Sequence, residues 1–118
     1  MKSADRRRAL GQSGEDAAAG WYLAHGWRVL ARNWRCRSGE LDLIAERDGV
    51  VAFCEVKTRT SDAFGVPAAA VTAAKQARIR GLALQWLRDA GRGVRVRTIR
   101  FDVAAVSGFE VEVLEGVF

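Results

Sequence analysis

The chain has 118 residues, 49% hydrophobic and 28% charged, which suits one soluble domain with a modest core and leaves no room for two. No apolar run approaches the roughly 20 residues of a membrane span, and the basic start at Lys2 to Arg8 is not followed by the apolar segment of a secretory signal, so a cytoplasmic location is expected. The net charge of +5 and pI near 10.0 suit a polyanionic partner, while Cys36 and Cys54, without His or Cys neighbours at metal spacing, argue against a zinc site.

Residues 1–12 read as a basic, flexible tail and residues 13–118 as a single domain. A helix is predicted from Ser13 as N-cap, with Asp16 in a capping-box-like position, to Gly26. Glu15 falls on its inward stripe with Ala18 and Tyr22, and an acidic side chain there also suits the positive end of the helix dipole. His25, at the far end, reads as a dipole partner rather than a general base. The first strand is predicted over Trp27 to Arg35. Arg32, Trp34, Arg35 and Arg37 then interleave cations with an aromatic ring, a pattern that holds a nucleic-acid backbone and stacks a base, or equally a core tryptophan among solvated arginines.

Leu41 to Arg47 and Val50 to Thr58 form a predicted hairpin, because Asp48-Gly49 supplies the two positive-φ residues of a type I′ turn. That turn fixes the register. Arg47 faces Val50, so Asp42 faces Glu55 and Glu40 faces Lys57, and strict alternation puts all four on one face with Ile44, Val51 and Phe53. Facing carboxylates destabilise a sheet by up to roughly 1 kcal/mol, and a divalent cation is the compensating partner that hard oxygen ligands favour. Lys57 would then stand beside a bound phosphate.

Thr60 to Pro67 is an irregular loop anchored at Phe64, and Arg59 lies at its entrance. The longest helix is predicted from Pro67 or Ala68 to Ala90, closed by Gly91, with an apolar stripe of Val71, Ile79, Leu82, Ala83, Trp86 and Leu87. Lys75 interrupts the stripe and points toward the sheet, as a snorkelling core-edge lysine or as an active-site cation. Arginine supplies 16 of the 19 basic residues, so Lys57 and Lys75 stand out as compact point charges. Strands over Val96 to Val106 and Phe109 to Leu114 complete a second hairpin.

Asp42 with Glu55-Val56-Lys57 resembles the Asp, Glu-x-Lys signature of restriction-endonuclease-like nucleases. The longer string of Gly39 to Ala45, Glu55 to Arg59, Phe64-Gly65, Lys75 and Arg100 to Val103 resembles the YraN-like family of small bacterial proteins, itself distantly similar to archaeal Holliday junction resolvases. The resemblance spans roughly residues 13 to 106. It implies an α/β restriction-endonuclease-like sandwich: a mixed, mainly antiparallel sheet of about five strands with two main helices. It further implies hydrolysis of phosphodiester bonds, in DNA rather than RNA and in branched or junction DNA in particular, with one or two magnesium or manganese ions. Asp42, Glu55 and the Val56 carbonyl would hold metal, Glu15 would be the extra acidic residue, Lys57 and Lys75 would act on the phosphate, and Arg32, Trp34, Arg35, Arg37, Arg59 and Phe64 would bind nucleic acid. A symmetric junction would call for a homodimer. The alternatives are a nucleic-acid-binding module that acts with a partner and does not cut, and an interaction protein in which Glu40 and Lys57 form an ion-pair ladder.

Overall fold

The computed structural model describes residues 3–59 and 71–118, with side chains from Gly14 onward except that of Arg59. The elements run α1 (Ser3–Ala24), β1 (Arg28–Cys36), β2 (Gly39–Arg47), β3 (Val50–Arg59), α2 (Ala73–Asp89), β4 (Thr98–Ser107) and β5 (Glu110–Leu114). They build one five-stranded sheet in the order β1-β2-β3-β4-β5. Among the described strands only β3 and β4 pair in parallel, joined through α2, and the other pairs are antiparallel. The expected mixed sheet with two helices is the observed architecture.

Side-chain size separates the two faces of the sheet. Ile44, Val51, Phe53, Phe101 and Val103 point toward α2, where they pack on Ile79, Leu82, Ala83 and Trp86. Toward α1 the sheet presents smaller groups, Ala45, Ala52, Cys54 and Ala104 beside Leu43, against Ala18, Ala19 and Tyr22. Short side chains on both partners let α1 lie close to the strands. Its far half is fixed by a polar contact, the Tyr22 hydroxyl donating to the fully buried Asp102 carboxylate.

The β2–β3 hairpin has the expected register, from Arg47↔Val50 to Leu43↔Cys54, with Asp48 and Gly49 at φ 50° and 83°. A Cβ on Gly49 would meet Arg97 Cγ at 2.7 Å, in addition to the strain of its φ. Gly49→Ala is therefore expected to lower stability by about 1–3 kcal/mol in urea denaturation.

Two predicted helix starts shift. α1 is helical from Ser3, so Ser13 lies within the helix rather than capping it. For α2, residues 60–70, including the predicted start at Pro67 or Ala68, lie outside the described residues. The helix is capped at Thr72, whose backbone is extended and whose side-chain Oγ1 accepts the Lys75 N–H at 3.2 Å. Val71 thus precedes the helix, and Lys75 belongs to its first turn. Gly91 closes it as expected, because a Cβ there would lie 2.5 Å from the Trp86 ring.

Candidate active site

Strict alternation fails where the acidic residues sit. Leu43 belongs to the α1 side of the sheet and Leu41 to the α2 side, although they are two residues apart on β2. The reversal coincides with Asn33 on β1. It lies between the Arg32↔Leu43 and Trp34↔Leu41 pairs and has φ 52°, which breaks the pleat. The β2–β3 ladder ends at Leu43↔Cys54, so the predicted Asp42↔Glu55 pairing does not form as a ladder pair. Instead the Asp42 carboxylate accepts the Val56 N–H at 2.9 Å.

This turn of the chain gathers Asp42 with two other carboxylates. One oxygen each from Glu15 on α1 and Glu40 and Asp42 on β2 lie within 4.8 Å of one another. Burial pushes the Asp42 carboxyl up to about 7. The neighbouring Glu55 charge adds to the rise, as do the Glu15 charge and a hydrogen bond with Glu55, whereas the Val56 N–H works in the opposite direction. Glu40 does not reach Lys57 in the way the simple hairpin register requires; its ion pair is with Arg35 at 3.0 Å. The proposed Glu40–Lys57 ladder is thereby replaced by a carboxylate cluster.

Glu55 occupies the other side of Asp42, half-buried among cations. Its Oε1 takes Lys75 Nζ at 2.7 Å and Lys57 Nζ at 3.5 Å. Burial lowers the Lys57 pKa, and the adjacent Lys75 ammonium lowers it further. Burial acts most strongly on Lys75 and against its charged form, but the bonds to Glu55 and Lys57 together with the Glu55 and Asp42 charges outweigh it, and the net shift is upward. The helical first turn thus delivers a second ammonium to the Glu-x-Lys strand. Asp42, Glu55, Lys57, Lys75 and Glu15 form one constellation, to which the structure adds Glu40.

The remaining candidates lie around it. Arg32 is ion-paired with Asp16, Trp34 packs on the α2-side core, Arg35 holds Glu40, and Arg37 is exposed in the β1–β2 turn. Phe64 and the Arg59 side chain lie outside the described residues. His25 Nδ1 donates to the Trp21 carbonyl at 2.7 Å and the ring stacks on that of Trp21, away from the acidic cluster. Glu40 as a cluster member went unseen because the register that placed it opposite Lys57 assumed an unbroken pleat; Asn33, a residue tolerant of positive φ, was the only sequence sign of the break.

The titration of Asp42 has a consequence for stability. Its folded-state carboxyl titrates near 7 against an ordinary 3.8, so across that window the folded protein holds a proton that the unfolded chain has released. Stability therefore falls as pH rises from about 4 to 7, by at most about 4 kcal/mol at ~1.4 kcal/mol per pH unit, and the penalty is complete above 7. Urea denaturation in EDTA at pH 5 and pH 8 is expected to show this fall, with Asp42→Asn giving a flatter profile. An equal pH dependence in the variant would remove Asp42 as its source.

Comparison with known proteins places the chain. The family model described as uncharacterised protein family UPF0102 matches residues 14–106, which include every described residue of the constellation. The chain belongs to the UPF0102 family. It is 51% identical over 98 residues to a UPF0102 protein of Rhodococcus jostii, covering 83% of this chain and 81% of that one. A UPF0102 protein of Acidothermus cellulolyticus is 43% identical over 129 residues, covering 98% of each. No described helix in this UPF0102 protein is long and apolar enough to cross a membrane.

Proposed function

We propose that this protein is a divalent-metal-dependent nuclease that hydrolyses phosphodiester bonds in DNA. The observation that carries the reading is the Asp42 carboxyl, pushed up to about 7 between Glu55 on one side and Glu15 on the other, with Glu40 within reach. Such crowding destabilises the site unless a cation occupies it. The donors are all hard carboxylate oxygens, and their mutual distances, within 4.8 Å, fit magnesium or manganese. Asp42, Glu15 and Glu40 would hold the ion, with Glu55 and the Val56 carbonyl completing the set. When bound, the ion supplies Lewis-acid polarisation of a phosphoryl group and a lower pKa for water.

The chain's own residues do the rest. The Val56 N–H fixes the Asp42 carboxylate, so its orientation is set by the strand before any ligand arrives. Lys57 and Lys75 share one oxygen of Glu55 and present two ammonium groups to an incoming phosphate. With a depressed pKa, Lys57 is the better of the two for taking or giving a proton, and Lys75 is the better fixed charge. Exposed Arg37 and the surplus of +5 supply the attraction for a phosphodiester backbone, so binding would weaken steeply with salt.

The test is cleavage of labelled single strand, duplex, flap and four-way junction in magnesium and in manganese, with Glu55→Gln protein alongside to expose contaminating nuclease. Metal-dependent cutting that the variant lacks supports the reading. Binding without cutting above the variant would sink it in favour of a module that holds nucleic acid for a partner.

A further inference from the structure

The first turn of α1 that is described in full contains an unusually close approach to the sheet. A Cβ on Gly14 would lie 2.1 Å from Thr58 Oγ1 and 3.4 Å from Thr58 Cβ, far inside the separation that atoms tolerate. Gly14 is buried, and it directly precedes Glu15, the α1 member of the carboxylate cluster. Gly20, further along the same helix, would meet nothing within 4 Å. Of these two glycines, it is at position 14 that the cost glycine imposes on a helix interior has a local return.

We propose that Gly14 is the positioning residue that seats α1 on Thr58 and so brings the Glu15 carboxylate into the metal site. This rests on the metal-dependent reading given above. α1 cannot take up a side chain at position 14 by sliding as a whole, because Tyr22, Ala18 and Ala19 are buried and the Tyr22 hydroxyl is bonded to Asp102. The displacement must be a tilt about that anchor. Gly14 stands about 12 Å along the helix axis from Tyr22, so the whole movement is felt at the Glu15 end. Relieving the contact needs roughly 1 Å, judged against the ordinary van der Waals distance of about 3.5 Å and allowing for yield in Thr58.

That distance matters because a single ion tolerates little spread among its ligand oxygens. Ligand oxygens on opposite sides of one magnesium or manganese ion stand roughly 4.2 Å apart, twice the bond length of about 2.1 Å. The Glu15, Glu40 and Asp42 oxygens lie within 4.8 Å of one another, a spacing that small side-chain adjustments close onto one ion. Carrying Glu15 outward by a further ~1 Å takes it beyond what a single ion bridges. Thr58 cannot give way freely, since its branched side chain is stiff at χ1 and its backbone is held in the β3–β4 ladder opposite Val106.

The experiment is manganese binding by isothermal titration calorimetry to the native chain, Gly14→Ala, Thr58→Ala and the double variant, with Gly20→Ala and Glu15→Gln as references and metal-free thermal melts of each. Gly14→Ala is expected to bind manganese about 10-fold to 100-fold more weakly, the range found for residues that orient a ligand. Thr58→Ala removes Oγ1 and leaves only the Cβ at 3.4 Å, so the double variant is expected to return to within a few-fold of native affinity. Gly20→Ala should bind as the native chain does. A simple loss of folding would appear in the metal-free melts and would not produce the selective rescue. If Glu15→Gln weakens binding but Gly14→Ala does not, or if Thr58→Ala fails to rescue, the positioning role is wrong while the metal site stands. A native chain that binds no manganese overturns the metal site and this role together.

Discussion

Glu55→Gln is expected to lower metal-dependent cleavage by about a hundredfold or more, the upper range for residues that merely orient a metal ligand being the lower bound for a ligand itself. The substitution keeps the shape of the side chain and removes one charge from a group that touches three others. Lys75 at 2.7 Å and Lys57 at 3.5 Å would lose their shared counter-charge, and two ammonium groups would be left facing each other. Asp42 would lose the carboxylate that, after burial, does most to push its pKa up. The variant should therefore lose cleavage and also show a weaker fall of stability between pH 5 and pH 8. The two readouts separate a damaged active site from a damaged fold, because Glu55 is not a member of either apolar cluster. Cleavage in the variant equal to that of the native chain on the same substrate would remove Glu55 from the chemistry.

Asp102→Ala should have the largest effect on stability, about 3–5 kcal/mol, a large part of the roughly 5–15 kcal/mol that holds a domain of this size. Asp102 is fully buried, and its carboxylate accepts from Tyr22, from Arg100 Nε at 2.8 Å and Nη2 at 2.9 Å, and from the Gly116 N–H at 2.9 Å. Removing it leaves the Tyr22 phenol buried without its partner, releases the Gly116 N–H, and strips the guanidinium of its forked acceptor. Arg100 also lies over the Trp27 ring, with Cζ 4.7 Å from its centroid, and Arg47 lies 4.9 Å from the same centroid. The loss would thus reach from α1 through β4 to the residues after β5. Urea denaturation measures it directly. A loss below about 1 kcal/mol would mean that water enters and satisfies the stranded groups, and the brace would then be a minor contributor.

The Asp48-Gly49 turn and the alternation on either side were enough to fix the β2–β3 hairpin, because a two-residue turn that needs positive φ leaves one register. The same local chemistry marked Asp42, Glu55 and Lys57 as candidate site residues, and the structure gathers them beside Lys75. Residue type also foretold the end of α2, where Gly91 yields to the Trp86 ring. What sequence could not supply was every relation that depends on distant segments meeting. The pleat reversal at Asn33 arises between two strands, and it alone converts Glu40 from an expected partner of Lys57 into a neighbour of Asp42 and Glu15. Glu15 itself is 27 residues from Asp42 along the chain. It reaches the cluster because Gly14 lets α1 settle on Thr58 and because the α1-facing side of the sheet is built from small side chains. Periodicity reports which way a side chain faces within one element, whereas the depth at which two elements pack is set by the atoms each presents to the other, and that depth decides whether three carboxylates share one site.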